Sequence, residues 1–217
     1  MRQLNSYIDH TLLKPTQTQK DIITLCKEAI EHQFYAVCIN GCYVSLAKQT
    51  LQNTSIKICS VVGFPLGAMS TDSKIEEAKN AIKNGADEID MVLNIGLLKS
   101  AAFDAVKNDI YSVKKAITHH TLKVILETCY LTKVEIIKAC ELSIAASADY
   151  IKTSTGFGTA GATLENIELM KSIAKDNIKI KASGGIKDAD TTRQYINLGV
   201  DRIGTSSGIN IVKGNVL

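Results

Sequence analysis

Gly85-Ala86-Asp87-Glu88-Ile89 reads as the lead-in to a buried strand. The chain writes the same phrase again at Ser147-Ala148-Asp149-Tyr150-Ile151 and Gly199-Val200-Asp201-Arg202-Ile203. A small residue makes the turn, an apolar residue sits at the base of the strand, an acid faces water, and isoleucine enters the sheet. A phrase recurring at strand lead-ins marks a repeated βα unit rather than three unrelated loops. The three Asp residues read as solvated turn residues.

Working outward from these phrases, short β-branched runs alternate with amphipathic helical patterns. Eight strands are predicted, at Tyr7–Leu12, Tyr35–Asn40, Lys57–Val62, Glu88–Asn94, Lys123–Glu127, Tyr150–Ser154, Lys179–Ser183 and Arg202–Ser206. Thr18 before Asp21, Ser73 before Glu76 and Thr132 before Glu135 have the spacing of helix N-terminal capping boxes. Gly85 and Gly199 stand where helices should stop. An open, doubly wound sheet usually has fewer strands and a nucleotide loop early in the chain, and no G-x-G-x-x-G follows the first or second strand. Eight units close a barrel, so the expectation is an α/β protein, one (β/α)8 TIM-barrel domain over 1–217.

Composition agrees and narrows the function. The 217 residues suit one barrel. They are 45% hydrophobic but only 5% aromatic with no Trp, so the core must be Val, Ile, Leu and Ala. Two prolines, Pro15 and Pro65, and no Pro/Gly/Ser-rich stretch leave no linker. The net charge of +3 is spread over 25 basic and 22 acidic residues, without the basic run that nucleic acid requires. No segment approaches the ~18 apolar residues of a membrane span, and Met1 to Lys14 lacks the apolar core of a signal peptide. Six cysteines without a CxxC pair read mainly as buried free thiols of a reducing compartment.

Four successive strands each place one charge inside an apolar run: Asp90, Lys123, Lys152 and Lys181. Lys123 to Lys152 and Lys152 to Lys181 are each 29 residues, one βα repeat, which predicts three amines at similar depth on neighbouring strands. A lysine facing the helices would bury an ammonium at a cost of several kcal/mol. Facing the barrel mouth costs far less, and barrel enzymes place their chemistry there. One Lys at a strand end is ordinarily a solvated residue, and Lys123 and Lys179 read as strand starts. Three inward lysines beside an acid are not explained that way. A lysine attacks a carbonyl only as the free amine, and an unperturbed pKa near ~10.4 leaves under about 0.1% free at pH 7. A neighbouring ammonium and desolvation both disfavour the charged form. Two lysines can therefore divide the work, with Lys152 the neutral nucleophile and Lys181 the cation that tunes it.

The last three strands run into glycine-rich ends: Thr155-Gly156-Phe157-Gly158, Ser183-Gly184-Gly185-Ile186 and Gly204-Thr205-Ser206-Ser207-Gly208. Such backbone approaches a ligand closely and offers N–H groups to an anion. Barrels often bind phosphate after strands seven and eight, and Ser207 to Val212 reads as the accompanying short helix.

With these residues assembled, the sequence resembles the deoxyribose-phosphate aldolase family over essentially its whole length. The matching segments are Tyr7-Ile8-Asp9-His10-Thr11-Leu12-Leu13, Gly63-Phe64-Pro65-Leu66-Gly67, Glu88 through Asn94, Lys123 through Glu127, Tyr150 through Phe157, Lys181 through Gly185 and Arg202 through Ser207. The resemblance implies reversible cleavage of 2-deoxy-D-ribose 5-phosphate to D-glyceraldehyde 3-phosphate and acetaldehyde, without metal or organic cofactor. It also implies cytoplasmic deoxyribonucleoside catabolism and a homodimer or higher homo-oligomer. By motif, Lys152 forms the Schiff base, Lys181 perturbs its pKa, Asp90 with a water transfers protons, and Lys123 belongs to the relay near Asp90. Asp9 and Thr11 line the mouth. Thr155 and Gly156 face the substrate. Gly184, Gly185, Gly204, Ser206 and Ser207 hold the phosphate.

Three departures stand out. Some members carry lysine where Phe157 stands, with Lys187 here in reach of that role. Many have proline after the second strand, where this chain reads Asn40-Gly41-Cys42. Some end in a longer tail with a terminal tyrosine that takes part in proton transfer, whereas this sequence ends at Leu217. Slower turnover, or water in place of that tyrosine, is the expectation. Cys38, on a strand near the mouth, reads as a buried thiol. Two rivals stay open: another phosphate-binding lysine barrel, transaldolase-like or a ketose-phosphate aldolase, and a sugar-phosphate-binding barrel without turnover.

Overall fold

The structure is a computed structural model that describes residues 3–214. Residues 215–217, where a tail would begin, lie outside the described residues. Eight strands follow one another as β1 (Ile8–Leu12), β2 (Ala36–Ile39), β3 (Lys57–Val62), β4 (Glu88–Val92), β5 (Thr121–Ile125), β6 (Tyr150–Lys152), β7 (Lys179–Ser183) and β8 (Arg202–Thr205). Each pairs in parallel with the next, and β8 returns to β1 with Asp9 opposite Gly204, closing the barrel. The helices are α1 (Gln19–Glu31), α2 (Val44–Thr50), α3 (Thr71–Lys83), α4 (Ile95–Lys99), α5 (Phe103–Ile117), α6 (Lys133–Ala145), α7 (Leu164–Ala174), α8 (Ala189–Asn197) and α9 (Gly208–Lys213). None among the described residues is long and apolar enough to cross a membrane.

The helices form where their capping chemistry lies. Thr18 and Thr132 make the expected reciprocal capping boxes with Asp21 and Glu135. Ser73 does not cap. The helix starts earlier, with Ser70 accepting from the Ser73 amide. Ile22, Leu25, Cys26 and Ala29 recur at helical spacing and bury one face of α1 against the barrel. Gly85 and Gly199 follow the ends of α3 and α8 at φ +110° and +90°, where a side chain would be strained.

The recurring acids are not solvated turn residues. Asp87, Asp149 and Asp201 each accept from a backbone amide of the preceding strand, of Ile58, Leu122 and Ile180, at 2.7–2.9 Å. Their own amides donate to the carbonyl oxygens of those same three residues. Each lead-in therefore clamps one strand to the next, which is why the phrase repeats.

Strand alternation divides the core in two. In β7, Ile180 and Ala182 join the large apolar cluster between sheet and helices, while Lys181 turns inward. Inside the barrel the apolar part is small: Leu13, Cys38, Cys59 and Val61, with Phe64 packed on them. Ala36, Val92 and Ile125 also face inward, and between them the interior holds Asp9, Glu88, Asp90, Lys123, Lys181 and Arg202.

The register corrects one expectation. Lys152 pairs with Lys181, but Lys123 pairs with Tyr150, so Lys123 sits one inward position below Lys152. Equal spacing in sequence did not give equal depth: each lysine is third in its strand, but β5 and β6 pair with a two-residue stagger that β6 and β7 lack. Lys179 does begin its strand and is exposed.

Candidate active site

A cleft of about 230 Å³ opens at the C-terminal ends of β6, β7, β8 and β1. Its walls include Thr11, Lys152, Thr155, Gly156, Phe157, Gly184, Gly185, Lys187, Gly204, Ser206 and Ser207. Ten of these eleven are residues that the sequence places at the substrate or on its phosphate, or names for the missing cation, and Phe157 is the one known only as a departure. Of the three inward lysines, only Lys152 reaches the cleft. Its side chain keeps 3% exposure, while those of Lys123, one inward position lower, and Lys181 beside it are fully enclosed.

Asp90 is the hub beneath. Its Oδ2 accepts from Lys152 Nζ and Lys181 Nζ, each at 2.8 Å, and its Oδ1 from Lys123 Nζ at 2.8 Å. The Cys59 thiol also donates to Oδ1 at 3.0 Å. Burial alone would raise the Asp90 carboxyl, but Lys123, then Lys152 and Lys181, outweigh it and hold it well below the usual carboxylate range. Burial likewise works against the charged form of Lys181, yet Asp9 and Asp90 raise it above the ordinary lysine value. Lys181 is therefore a fixed ammonium. Asp90 is a fixed carboxylate, each of its oxygens accepting two hydrogen bonds.

Asp9 is not at the mouth. It is buried below, where β1 pairs with β8, bonded to Arg202 Nε at 2.7 Å and paired with Lys181 at 2.5 Å. Strand alternation gives the reason: Asp9 lies one inward position beneath Thr11, and Thr11 is the residue that lines the cleft. Sequence reasoning missed Glu88 and Arg202. The Arg202 fork reaches Glu88 Oε1 and Oε2 at 3.1 and 3.0 Å, and Lys123 Nζ sits 2.6 Å from Glu88 Oε2.

The glycine-rich ends serve packing as well as access. A Cβ on Gly204 would lie 3.0 Å from Lys181 Cε and 3.0 Å from Ser183 Cβ, so the glycine makes room for the lysine. Gly184 faces the same crowding, 2.8 Å from the Gly161 backbone, where the loop after β6 docks through the Ala162 amide. Gly156 and Gly185, at φ +87° and +79°, meet nothing within 4 Å and open onto the cleft. Ser207 lines the cleft, but its amide is already donated to Thr205 Oγ1 at 2.9 Å.

Thr155 is held rather than free. Its amide donates to Glu127 Oε1 at 3.1 Å and its hydroxyl to Glu127 Oε2, while it accepts from the Phe157 amide at 3.0 Å. Glu127, buried with left-handed backbone just past β5, was read only as part of a strand. Phe157 meets Phe64 edge to face at 5.3 Å, bringing the β6 and β3 loops together over the mouth. The loop after β2, without proline, makes a short turn in which Asn40 Nδ2 donates to the Leu13 carbonyl and Tyr43 to that of Gln17.

Four cysteines are buried as expected, but Cys42 is exposed and Cys129 half-buried. Cys38 and Cys59 are register partners facing inward. With Asp90 they put three donor atoms within 4.8 Å of one another. A metal there would have to displace three lysine nitrogens from Asp90, so the donor set is already in use.

Comparison with known proteins agrees with this geometry. Residues 4–214 match the family described as DeoC/LacD family aldolase. The chain is 55% identical over 212 residues to the deoxyribose-phosphate aldolase of Finegoldia magna, covering 98% of this chain and all of that one. The solved structure described as QR15, an aldolase, superposes with a TM-score of 0.94 at 45% identity, over 98% and 96% of the two chains. A tetrameric deoxyribose phosphate aldolase from Aeropyrum pernix gives 0.90 at 32% identity, over 97% and 89%. A closed eight-stranded barrel, a lysine at the foot of its cleft and near-complete likeness to these aldolases lead to one conclusion: the chain belongs to the DeoC/LacD family of aldolases.

Proposed function

We propose that the protein cleaves 2-deoxy-D-ribose 5-phosphate reversibly to D-glyceraldehyde 3-phosphate and acetaldehyde, with Lys152 as the Schiff-base nucleophile. The observation that carries the reading is that Lys152, alone of the three inward lysines, opens onto a cleft that Gly184, Gly185, Ser206 and Ser207 also line. A sugar phosphate fits that polarity, its phosphate on the exposed backbone and hydroxyls, its aldehyde toward Lys152.

The amine of Lys152 adds to C1 of the open-chain sugar, and loss of water gives the imine. Protonated, the imine accepts the electron pair of the C2–C3 bond as the C3 hydroxyl gives up its proton, releasing glyceraldehyde 3-phosphate and leaving an enamine. Protonation of the enamine at C2 and hydrolysis then release acetaldehyde. Asp90 Oδ2 accepts directly from Lys152 Nζ at 2.8 Å, within reach of the protons that this nitrogen gains and loses. Lys181 supplies fixed positive charge beside the reacting nitrogen, and Lys123 holds the other oxygen of Asp90. The reading includes deoxyribonucleoside catabolism in the cytoplasm and assembly as a homo-oligomer. The tetrameric relative supports the assembly.

The test is product analysis. Incubation with 2-deoxy-D-ribose 5-phosphate should yield the two aldehydes in equal amounts, and acetaldehyde should serve as donor in reverse. Activity with dihydroxyacetone phosphate as donor and none with acetaldehyde would favour the ketose-phosphate rival. Binding without any covalent adduct would favour a non-catalytic barrel.

A further inference from the structure

Lys152, Asp90 and Lys181 belong to a closed circuit that reaches the far end of the barrel. Lys123 bridges Asp90 and Glu88 at 2.8 and 2.6 Å. Arg202 bridges Glu88 and Asp9, at 3.0 Å to Glu88 Oε2 and 2.7 Å from its Nε to Asp9. Lys181 bridges Asp9 and Asp90, at 2.5 and 2.8 Å, and closes the ring. Three carboxylates alternate with three cations, so the ring is neutral. Lys152 hangs outside it on one oxygen of Asp90, already shared with Lys181. As an ammonium it leaves one positive charge in surplus within a buried cluster, and as an amine it leaves none.

We propose that Glu88 and Arg202, remote from the cleft, are positioning residues that set the proton count at Lys152 through the charge balance of this ring. The inference rests on Lys152 being the nucleophile. Neither residue lines the substrate cleft, and neither bonds Lys152. Each instead completes the pairing of a ring lysine, Glu88 that of Lys123 and Arg202, through Asp9, that of Lys181. These two lysines are thereby kept charged and unable to compete with Lys152 for the single labile proton. The Tyr35 ring covers the Arg202 guanidinium at 3.6 Å, while Glu88 borders a separate cavity at the lower end of the barrel.

Other titratable groups face this interior. Tyr150 lies beneath Lys123 at 5.8 Å, its hydroxyl pushed by burial up to about 12 and so neutral. Cys59 is a thiol donating to Asp90. Cys38 is the exception. Cys59 beside it, with Lys181 and Lys152, outweighs burial and lowers its thiol from the ordinary value to about 7. Glu127, Lys14 and Lys187 are spent on the loop after β6 or lie at the exposed mouth.

The opposite signs of the two residues make the test. Borohydride trapping of acetaldehyde is followed against pH, with the adduct mapped to its lysine, in the parent and in a Cys38→Ala background. Glu88→Gln removes a negative charge, so the trapping midpoint should fall by on the order of one pH unit. Arg202→Met removes a positive charge, and the midpoint should rise by about as much. Arg202→Lys keeps the charge and should restore the parent midpoint. Glu88→Gln combined with Arg202→Met rebalances the ring and should also return it. Midpoints that stay put, or move the same way in both single variants, with the adduct still on Lys152, would overturn the proposal. An adduct absent from Lys152 in the parent would instead overturn the nucleophile assignment. Should the single variants not fold, titration of the parent with ε-carbon-labelled lysine decides. Lys152 should lose its proton first among the buried lysines, and Lys123 or Lys181 titrating ahead of it would refute the claim.

Discussion

Asp9→Asn asks whether the ring beneath the cleft holds the barrel together. Asp9 is fully buried and carries both Arg202 and Lys181. Burial alone would raise its carboxyl, yet Arg202 and Lys181 outweigh it and hold it at about 2, against an ordinary 3.8. At about 1.4 kcal/mol per pH unit, that difference contributes about 2 kcal/mol of stability at neutral pH. The amide keeps the shape and removes the charge, leaving Arg202 with Glu88 and Lys181 with Asp90. Breaking a buried pair costs roughly 3–5 kcal/mol, so urea unfolding at pH 7 should show a loss of about 2–5 kcal/mol. The folded-state value is depressed, so the contribution is complete above 3.8 and is lost as pH falls toward about 2. Protonating Asp9 does to the parent what the substitution does to the variant. The stability gap should therefore narrow below about pH 4 and nearly close near the folded value. A gap constant down to about pH 2.5, or under about 1 kcal/mol at pH 7, would refute the reasoning.

Three further substitutions probe the cleft. Gly204→Ala puts a methyl 3.0 Å from Lys181 Cε and should lower kcat about tenfold, a barrier rise of roughly 1.4 kcal/mol, with KM little changed; an unchanged kcat would show that Lys181 has slack. Glu127→Gln weakens the hold on Thr155 and should raise KM by about tenfold, the effect of losing roughly 1.4 kcal/mol from a charge-assisted bond. Proteolysis should then become faster in the loop after β6, and an unaltered KM would mean that Thr155 needs no anchor. Ser207→Asp sets a negative charge at the phosphate wall. It should raise KM for the sugar phosphate by about 10- to 100-fold while acetaldehyde trapping at Lys152 is unaffected, and equal losses in both assays would argue against a phosphate site there.

The barrel was legible because its signals are local. The lead-in phrases, the caps at Thr18 and Thr132 and the β-branched runs each read on a few neighbouring residues. Lys152, Lys181 and Asp90 were legible for a different reason, as charges where alternation demands apolar side chains. Glu88 and Arg202 were not, because they occupy the variable place in the lead-in phrase and pass for strand-end residues. The signal was nonetheless present: Glu88 stands two residues before Asp90, as Tyr150 does before Lys152, so both face inward with them. Asp9 was misplaced for another reason, since a family motif says which residues gather but not how deep each lies. Depth follows from the stagger of neighbouring strands, which sequence spacing does not carry. Glu127 was hidden by its left-handed backbone, which no neighbouring residue announces.

The central claim is that Lys152 is the nucleophile. Its direct test is reduction with borohydride in the presence of acetaldehyde, followed by peptide mass mapping. One N-ethyl group on the peptide containing Lys152, abolished by Lys152→Ala, is the expected result. An adduct on Lys123 or Lys181, or one that persists in Lys152→Ala, would contradict it.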